Sequence, residues 1–344
     1  MSGSPVARAI VRAVERRDLS ADEMAEVAGA IMDGLATPAQ IGALLVALRM
    51  KGETVDEVVG AARAMRARAS PFRAPAGVVV DTCGTGGDGR GTLNVSTIAA
   101  FVVAACGVRV AKHGNRALSS KAGSADLLEA LGIAVSPGTA ALEAALAEEG
   151  LAFLFAPDFH PATKHAAGPR REIGVRTLFN LLGPLTNPAG VRRQVVGVYD
   201  GARLELVGRA LAALGAEHAL VVHGAGGLDE LAPDGETEVV EVRAGDVRRM
   251  VLAPEDFGLA RGDASGLHGD DAATNAARAR ALLAGQDRGA GRTAVVMTAA
   301  AALVVADAEP SLKTAAARAG AAIDDGRALA LVERMAARLP GGRA

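Results

Sequence analysis

The sequence predicts an α/β protein in which a small N-terminal all-helical domain precedes a larger α/β domain with a mostly parallel central sheet covered by helices. Three observations carry this reading. The first 70 residues hold repeated helix start and stop signals. From Val78 onward, short β-branched runs alternate with alanine-rich helical segments, the rhythm of strand, crossover helix and next parallel strand. Three of those short runs open directly into glycine-rich loops, as strands do at the binding edge of an open sheet. The helical domain is assigned to residues 1–72, joined by part of 160–190, and the α/β domain to 78–340.

In the first domain, Ser20 with Glu23, Thr37 with Gln40 and Thr54 with Glu57 each form the Ser/Thr-x-x-Glu/Gln capping box. Pro38 stands at a first helical position, and Gly34 and Gly52 lie just past helix ends. About four helices result. Ser70-Pro71 and the Pro/Ala/Gly stretch to Gly77 read as a linker. Strands are expected at Val78–Asp81, Val108–Ala111, Ala152–Phe155, Gln194–Val198 and Leu220–Val222. Helices are expected near 95–106, 123–131, 138–149 and 202–214. Two segments break the alternation. Residues 160–190 are helical and basic and then carry Gly183-Pro184-Leu185-Thr186-Asn187-Pro188, which no continuous helix accommodates, so this stretch is expected to return to the helical domain. Residues 237–242 and 248–252 read as an antiparallel pair turning at Ala244-Gly245-Asp246. The C-terminal third is helical to about Leu339.

Of 344 residues, half are apolar, enough for a sizeable core and two domains. The net charge of −2 provides no overall basic field, so nucleic acid is not an expected partner and anion recognition is left to local clusters. Two cysteines, Cys83 and Cys106, suggest no disulfide framework and fit a reducing compartment. The N-terminus has no signal-peptide core. The longest uncharged apolar stretch, near 293–306, falls short of the roughly 20 residues a membrane span needs. A cytoplasmic location without a membrane partner is expected.

The chemistry concentrates at the loops. Asp81-Thr-Cys-Gly-Thr-Gly-Gly-Asp-Gly-Arg90 leaves a strand and runs into Asn94-Val-Ser-Thr97 at a helix start, where converging backbone N–H groups and the helix terminus suit an anion. Tight-turn glycines are the bland explanation, and neither the Walker A nor the dinucleotide spacing is present. Lys112 to Asp126 leaves the next strand with a lysine, amide and imidazole side chains, serines and glycines, an expensive loop to order without a ligand. His113 is expected to pack or position rather than titrate, and is the only candidate base. His223-Gly-Ala-Gly-Gly-Leu-Asp-Glu230 offers two adjacent carboxylates, which are either solvated turn residues or ligands for Mg²⁺ beside a phosphate. On the basic stretch after Phe159, an arginine fork matches a carboxylate.

Together DTCGTGGDGRGTLNVST, KHGNRALSSKAGSADLLEALG, HPATK…GPRREIGVRTLFNLLGPLTNPA and HGAGGLDE closely resemble the anthranilate phosphoribosyltransferase family of tryptophan biosynthesis, and the N-terminal helices resemble its helical domain. The resemblance implies transfer of a phosphoribosyl group from 5-phosphoribosyl-1-diphosphate (PRPP) to anthranilate. It implies PRPP contacts at Gly84, Gly87, Asp88, Thr92, Asn94, Val95, Ser96, Thr97, Lys112, His113, Gly114, Asn115, Arg116, Ala117, Leu118, Ser119, Ser120 and Ser124. Anthranilate would meet Gly84, Asn115 and Arg170, and Mg²⁺, two ions per subunit, would meet Ser96, Asp229 and Glu230. Lys112, His113 and Arg170 are the catalytic candidates, and a homodimer joined through the helical domain is implied. Cys83, Arg90-Gly91 and Ala232-Pro233 depart from the usual family pattern. A related pyrimidine nucleoside phosphorylase-type enzyme and a catalytically silent binding relative are the competing readings. The contexts of Asn115 and Arg170 and the Gly-Leu-Asp-Glu motif point away from the phosphorylase.

Overall fold

The computed structural model describes residues 3–87, 89–117 and 121–341. It opens with four helices, α1 (Pro5–Val14), α2 (Ala21–Met32), α3 (Pro38–Lys51) and α4 (Val55–Arg66). All three predicted capping boxes form. The hydroxyls of Ser20, Thr37 and Thr54 accept from the N–H groups of Glu23, Gln40 and Glu57, and those side chains accept from the cap N–H in return. Each box satisfies two donors that a helix start otherwise leaves orphaned.

The α/β domain carries β1 (Val79–Gly84), α5 (Val95–Ala105), β2 (Arg109–Gly114), α6 (Ser124–Ala130), α7 (Thr139–Glu148) and β3 (Leu151–Phe155). Three helices follow, α8 (Ala156–Phe159), α9 (Lys164–Ile173) and α10 (Phe179–Leu182), before β4 (Arg193–Gly197), α11 (Leu204–Ala213) and β5 (His218–Gly224). The hairpin β6 (Thr237–Arg243) and β7 (Asp246–Leu252) precedes α12 (Ala272–Leu283), α13 (Ala290–Val305), α14 (Leu312–Asp324) and α15 (Arg327–Arg338). One seven-stranded sheet results, in the order β3-β2-β1-β4-β5-β6-β7. The first five strands are parallel and the last two pairings antiparallel. Ala244 and Gly245, at φ 51° and 90°, give the hairpin the doubly positive turn that a tight right-twisted ribbon favours.

β1 and β2 run further than their apolar runs suggest. β1 continues through Thr82 and Cys83 to Gly84, and β2 through Lys112 and His113 to Gly114. Parallel pairing is the cause: Gly84 lies opposite Gly197, and Lys112 to Gly114 lie opposite Phe153 to Phe155. A ladder needs backbone partners, and polar side chains do not stop it. Lys112 and His113 are therefore sheet residues, not loop residues.

Alternate strand residues feed two cores. Val195, Leu220, Val222 and Val239 pack with the residues of α5 and α13, while Val196, Val221, Val240 and Val242 pack with α11 and with the helical domain's own core around Leu44, Leu48 and Val58. α9 packs against α2 and α3, and α10 against α4, so Ala166, Leu181 and Leu182 are buried in that second core. Among the described residues no helix is long and apolar enough to cross a membrane.

Candidate active site

β1 lies between β2 and β4, and the chain leaves it toward one neighbour and returns later to the other. The crevice outside the carboxyl ends of such strands is where open α/β sheets bind ligands. β5 is two strands away from β1, yet the segment that follows it reaches the same place by crossing the end of β4. A Cβ on Gly197 would overlap the Asp229 carbonyl oxygen, so only glycine lets that backbone pass. Asp229 then stands beside Gly84, with its Oδ2 3.2 Å from where a Cβ on Gly84 would lie.

Lys112 anchors this meeting point. It is 3 % exposed, and its ammonium donates to the Thr82 carbonyl and, at 3.2 Å, to Ser96 Oγ. Thr82 Oγ1 donates to the Ser96 carbonyl at 2.9 Å. Ser96 N–H, in the first turn of α5, donates to Glu230 Oε1 at 3.2 Å. Gly84, Ser96, Lys112, Asp229 and Glu230, from three strand exits, thus gather at one corner of the crevice. Beneath it Asp81 is fully buried, and burial raises its pKa against the opposing pull of Lys112.

His113 does not face this corner as a base would. Its N–H donates to Asp81 Oδ1 at 3.2 Å, and its Nδ1 lies 2.9 Å from the Gly183 carbonyl, which makes Nδ1 the protonated nitrogen. Nε2 is buried without a hydrogen-bond partner among the described residues, and the ring meets His160 edge-on with centroids 5.1 Å apart. Burial, reinforced by His160, pushes the pKa down to about 3. This is the geometry of a neutral packing or positioning residue rather than of a base, because its one free lone pair points into protein.

The second loop is held by α6. Ser124 Oγ donates to the Asn115 carbonyl at 3.0 Å and accepts from Asn115 N–H at 3.2 Å, while Ala117 N–H donates to Asp126. Gly114 is obligatory there, since a Cβ would strike Ser124 Oγ and the Phe153 ring. Arg116, expected to meet the phosphorylated substrate, lies in the same loop. Its guanidinium is committed to Asp126 at 2.9 Å and to both oxygens of Glu129 at 2.6–2.7 Å, which raises its pKa. On the first loop, Thr92 forms an isolated bridge with His268. Val95 and Thr97 are buried in the start of α5, and Asn94 spends its amide on Ala122 and Asn275 instead of capping the helix. Gly87 adopts φ 78°. Asp88, Leu118, Ser119 and Ser120 lie outside the described residues.

Arg170 sits on α9 with its Cζ 5.2 Å from the Phe179 ring centroid. Burial lowers its pKa, and among the described residues it has no carboxylate partner. It is a partly desolvated fork with its donors unspent.

The comparisons match this architecture. The glycosyl transferase family a/b domain matches residues 76–329 and its helical bundle domain residues 7–69. An anthranilate phosphoribosyltransferase from an Anaeromyxobacter species is 53 % identical over 98 % of this chain and 99 % of its own. The chain belongs to the anthranilate phosphoribosyltransferase family. The crystal structure of the Thermus thermophilus member superposes with a TM-score of 0.91 at 47 % identity, covering 96 % of this chain and 99 % of that one. The Saccharomyces cerevisiae member, solved in complex with PRPP and Mg, gives 0.88 at 26 % identity over 98 % of both chains, and was also solved with 4-fluoroanthranilate.

Within this family fold, three residues that shape the crevice escape a motif reading. Asn187 is 4 % exposed, and its amide donates to Asp81 Oδ2 at 2.8 Å and to the Ala111 carbonyl at 2.7 Å, clamping β1 to β2. Asn275, 1 % exposed, donates to Asn94 Oδ1 and accepts from Asp270 N–H, so the C-terminal region braces the first loop. Arg176 lies against that loop. A lone buried asparagine carries no local signal, and Arg176 is one of several arginines on the basic stretch after Phe159.

Proposed function

We propose that the chain transfers the 5-phosphoribosyl group of PRPP to the amine of anthranilate, releasing diphosphate, as a step of tryptophan biosynthesis. The observation that carries this is the convergence of three strand exits on Gly84, Ser96, Lys112, Asp229 and Glu230. Breaking the ribose C1–O bond builds positive charge on the sugar and negative charge on the departing diphosphate. Lys112 fixes a buried cation at the base of the glycine loop, and the first turn of α5 adds N–H donors, so the field is in place before charge develops. PRPP is read along 84–97 and along 112–124, the latter through the backbone and Ser124 more than through the Arg116 fork.

The donor set at the same corner suits a hard divalent cation, being two carboxylates and a hydroxyl with no nitrogen or sulfur ligand. Asp229, Glu230 and Ser96 would hold Mg²⁺, two ions per subunit, which when bound supplies charge neutralisation to the leaving diphosphate. Arg170 orients the anthranilate carboxylate, which turns the neutral aromatic amine toward C1. Orientation supplies the remainder, so no strong protein base is needed.

The chain is read as a homodimer joined through the helical domain. On the outer side of α1 and α3, Val14 is 68 % and Met50 73 % exposed, beside a groove lined by Ala43, Val46 and Ile173, an apolar surface suited to a second copy. Val14→Glu with Met50→Glu should halve the sedimenting mass. A cytoplasmic location fits two buried free thiols. The deciding assay follows loss of anthranilate fluorescence with PRPP and Mg²⁺, omitting each in turn. No consumption under any condition would overturn the reading.

A further inference from the structure

Arg176 follows the left-handed Gly174 that ends α9 and precedes α10. Its guanidinium stacks on Tyr199, the only tyrosine of the chain, with Cζ 4.0 Å from the ring centroid. On its other side lies the tip of the glycine loop. A Cβ on Gly87 would sit 3.5 Å from Nη2 and 3.6 Å from Nε, so the fork rests against bare backbone. Tyr199 is tied to the foot of the same loop: its N–H donates to Thr85 Oγ1 at 3.2 Å, and Thr85 N–H donates to the Gly197 carbonyl at 2.8 Å. Among the described residues Arg176 forms no ion pair and no hydrogen bond. The stack therefore orients a planar cation while spending none of its five donors.

We propose that Arg176 is a further binding residue for the phosphorylated substrate, its fork donating to a phosphate of PRPP at the tip of the loop whose base Lys112 serves. Three features suit phosphate at this place. The guanidinium fork matches two phosphate oxygens at once. Gly86 and Gly87, at φ 64° and 78°, hold a left-handed turn that glycine adopts readily, and their bare backbone lets a phosphate approach the main chain closely. The position beside Gly87 lies on the phosphate loop itself, while Arg170, stacked on Phe179 in the same segment, is left for the acceptor carboxylate. Tyr199 is a positioning residue in this arrangement. The proposal rests on the reading of the chain as a PRPP-dependent transferase.

The test uses the full chain with Arg176→Gln, Arg176→Lys, Tyr199→Phe and Tyr199→Leu. It reads KM for each substrate, kcat, thermal midpoint and, by calorimetry, binding of Mg²⁺-diphosphate in the absence of turnover. Arg176→Gln should raise the PRPP KM and the diphosphate Kd about tenfold, with the anthranilate KM within about twofold. Arg176→Lys should fall between, since an ammonium keeps the charge and loses the fork. Tyr199→Phe should match the parent protein, and Tyr199→Leu should lose about threefold in PRPP KM and in diphosphate Kd, with the anthranilate KM unchanged. An unchanged PRPP KM and diphosphate Kd in Arg176→Gln overturns the proposal, as does a rise confined to the anthranilate KM. If Arg176→Gln proves unstable, a Tyr199→Leu variant that folds normally with unaltered diphosphate binding overturns it equally. Diphosphate binding is scored without an acceptor, so loss of that binding in Arg176→Gln upholds the cation even were anthranilate not consumed.

Discussion

The regions around Lys112 and Arg170 use positive charge in opposite ways. In the region proposed for phosphate, Lys112 is buried and already satisfied, its ammonium donating to Thr82 and Ser96 while Glu230 accepts from Ser96 N–H. In the region proposed for the acceptor, Arg170 rests over Phe179, is partly desolvated and has no carboxylate partner among the described residues. A cation fixed by its neighbours contributes a field that needs no reorganisation when charge develops, and so bears on rate. A fork left unsatisfied gains most from the carboxylate that completes it, and so bears on affinity.

Removing the fixed cation should break this contrast most strongly. Lys112→Met should lower kcat on the order of 10²–10³-fold, the scale of losing one preorganised electrostatic group, with both KM values changed far less. A loss expressed mainly in KM would mean that Lys112 only binds. Next in size is the carboxylate pair. Asp229→Asn with Glu230→Gln should raise the Mg²⁺ concentration for half-maximal rate by about tenfold or more and lower kcat together. An unaltered Mg²⁺ titration would remove both residues from the metal. Arg170→Ala should raise the anthranilate KM about 10–100-fold, the range of a charge-assisted bidentate pair, while the PRPP KM stays within about twofold. Equal rises in both would erase the division between the two sides.

The sequence revealed what is local. Capping boxes at Ser20, Thr37 and Thr54 lie within four residues of their partners, and all form. The strand exits were legible because glycine clusters follow β-branched runs, and the hairpin at 237–252 was legible for the same reason. What escaped depends on partners far along the chain. Lys112 and His113 looked like loop residues because the ladder that extends β2 is made with Phe153 to Phe155, some 40 residues later. Gly197 resembles any glycine at the end of a strand until the Asp229 backbone crosses it. Arg116 carried the charge of a phosphate ligand, but the helical turn that follows presents Asp126 and Glu129 to it. Asn187 joins β1 and β2 from within a turn-rich string whose residues advertise only a turn.

The smallest effect separates chemistry from scaffolding at His113. Its pKa is pushed down to about 3 and that of its neighbour His160 to about 4, both chiefly by burial, against 6.5 for an ordinary histidine. Below about pH 6.5 the unfolded chain takes up protons that the folded chain refuses, so stability is complete above that pH and falls as pH drops toward 4. Each such histidine costs about 1.4 kcal/mol per pH unit across that window. His113→Asn keeps a donor for the Gly183 carbonyl and removes one of the three histidine titrations that burial lowers, those of His113, His160 and His218. Denaturant titrations at pH 7.5 and pH 5 should show the stability difference between those pH values smaller than the parent's by about 2 kcal/mol. At pH 7.5, where His113 is neutral in either state, kcat should stay within about threefold, because a group that exchanges no proton with substrate has only a positional contribution to lose. A kcat reduced by 10²-fold or more, together with disappearance of an acidic limb from the pH–rate profile, would return the imidazole to the chemistry and move the acceptor side from pure orientation to general base catalysis.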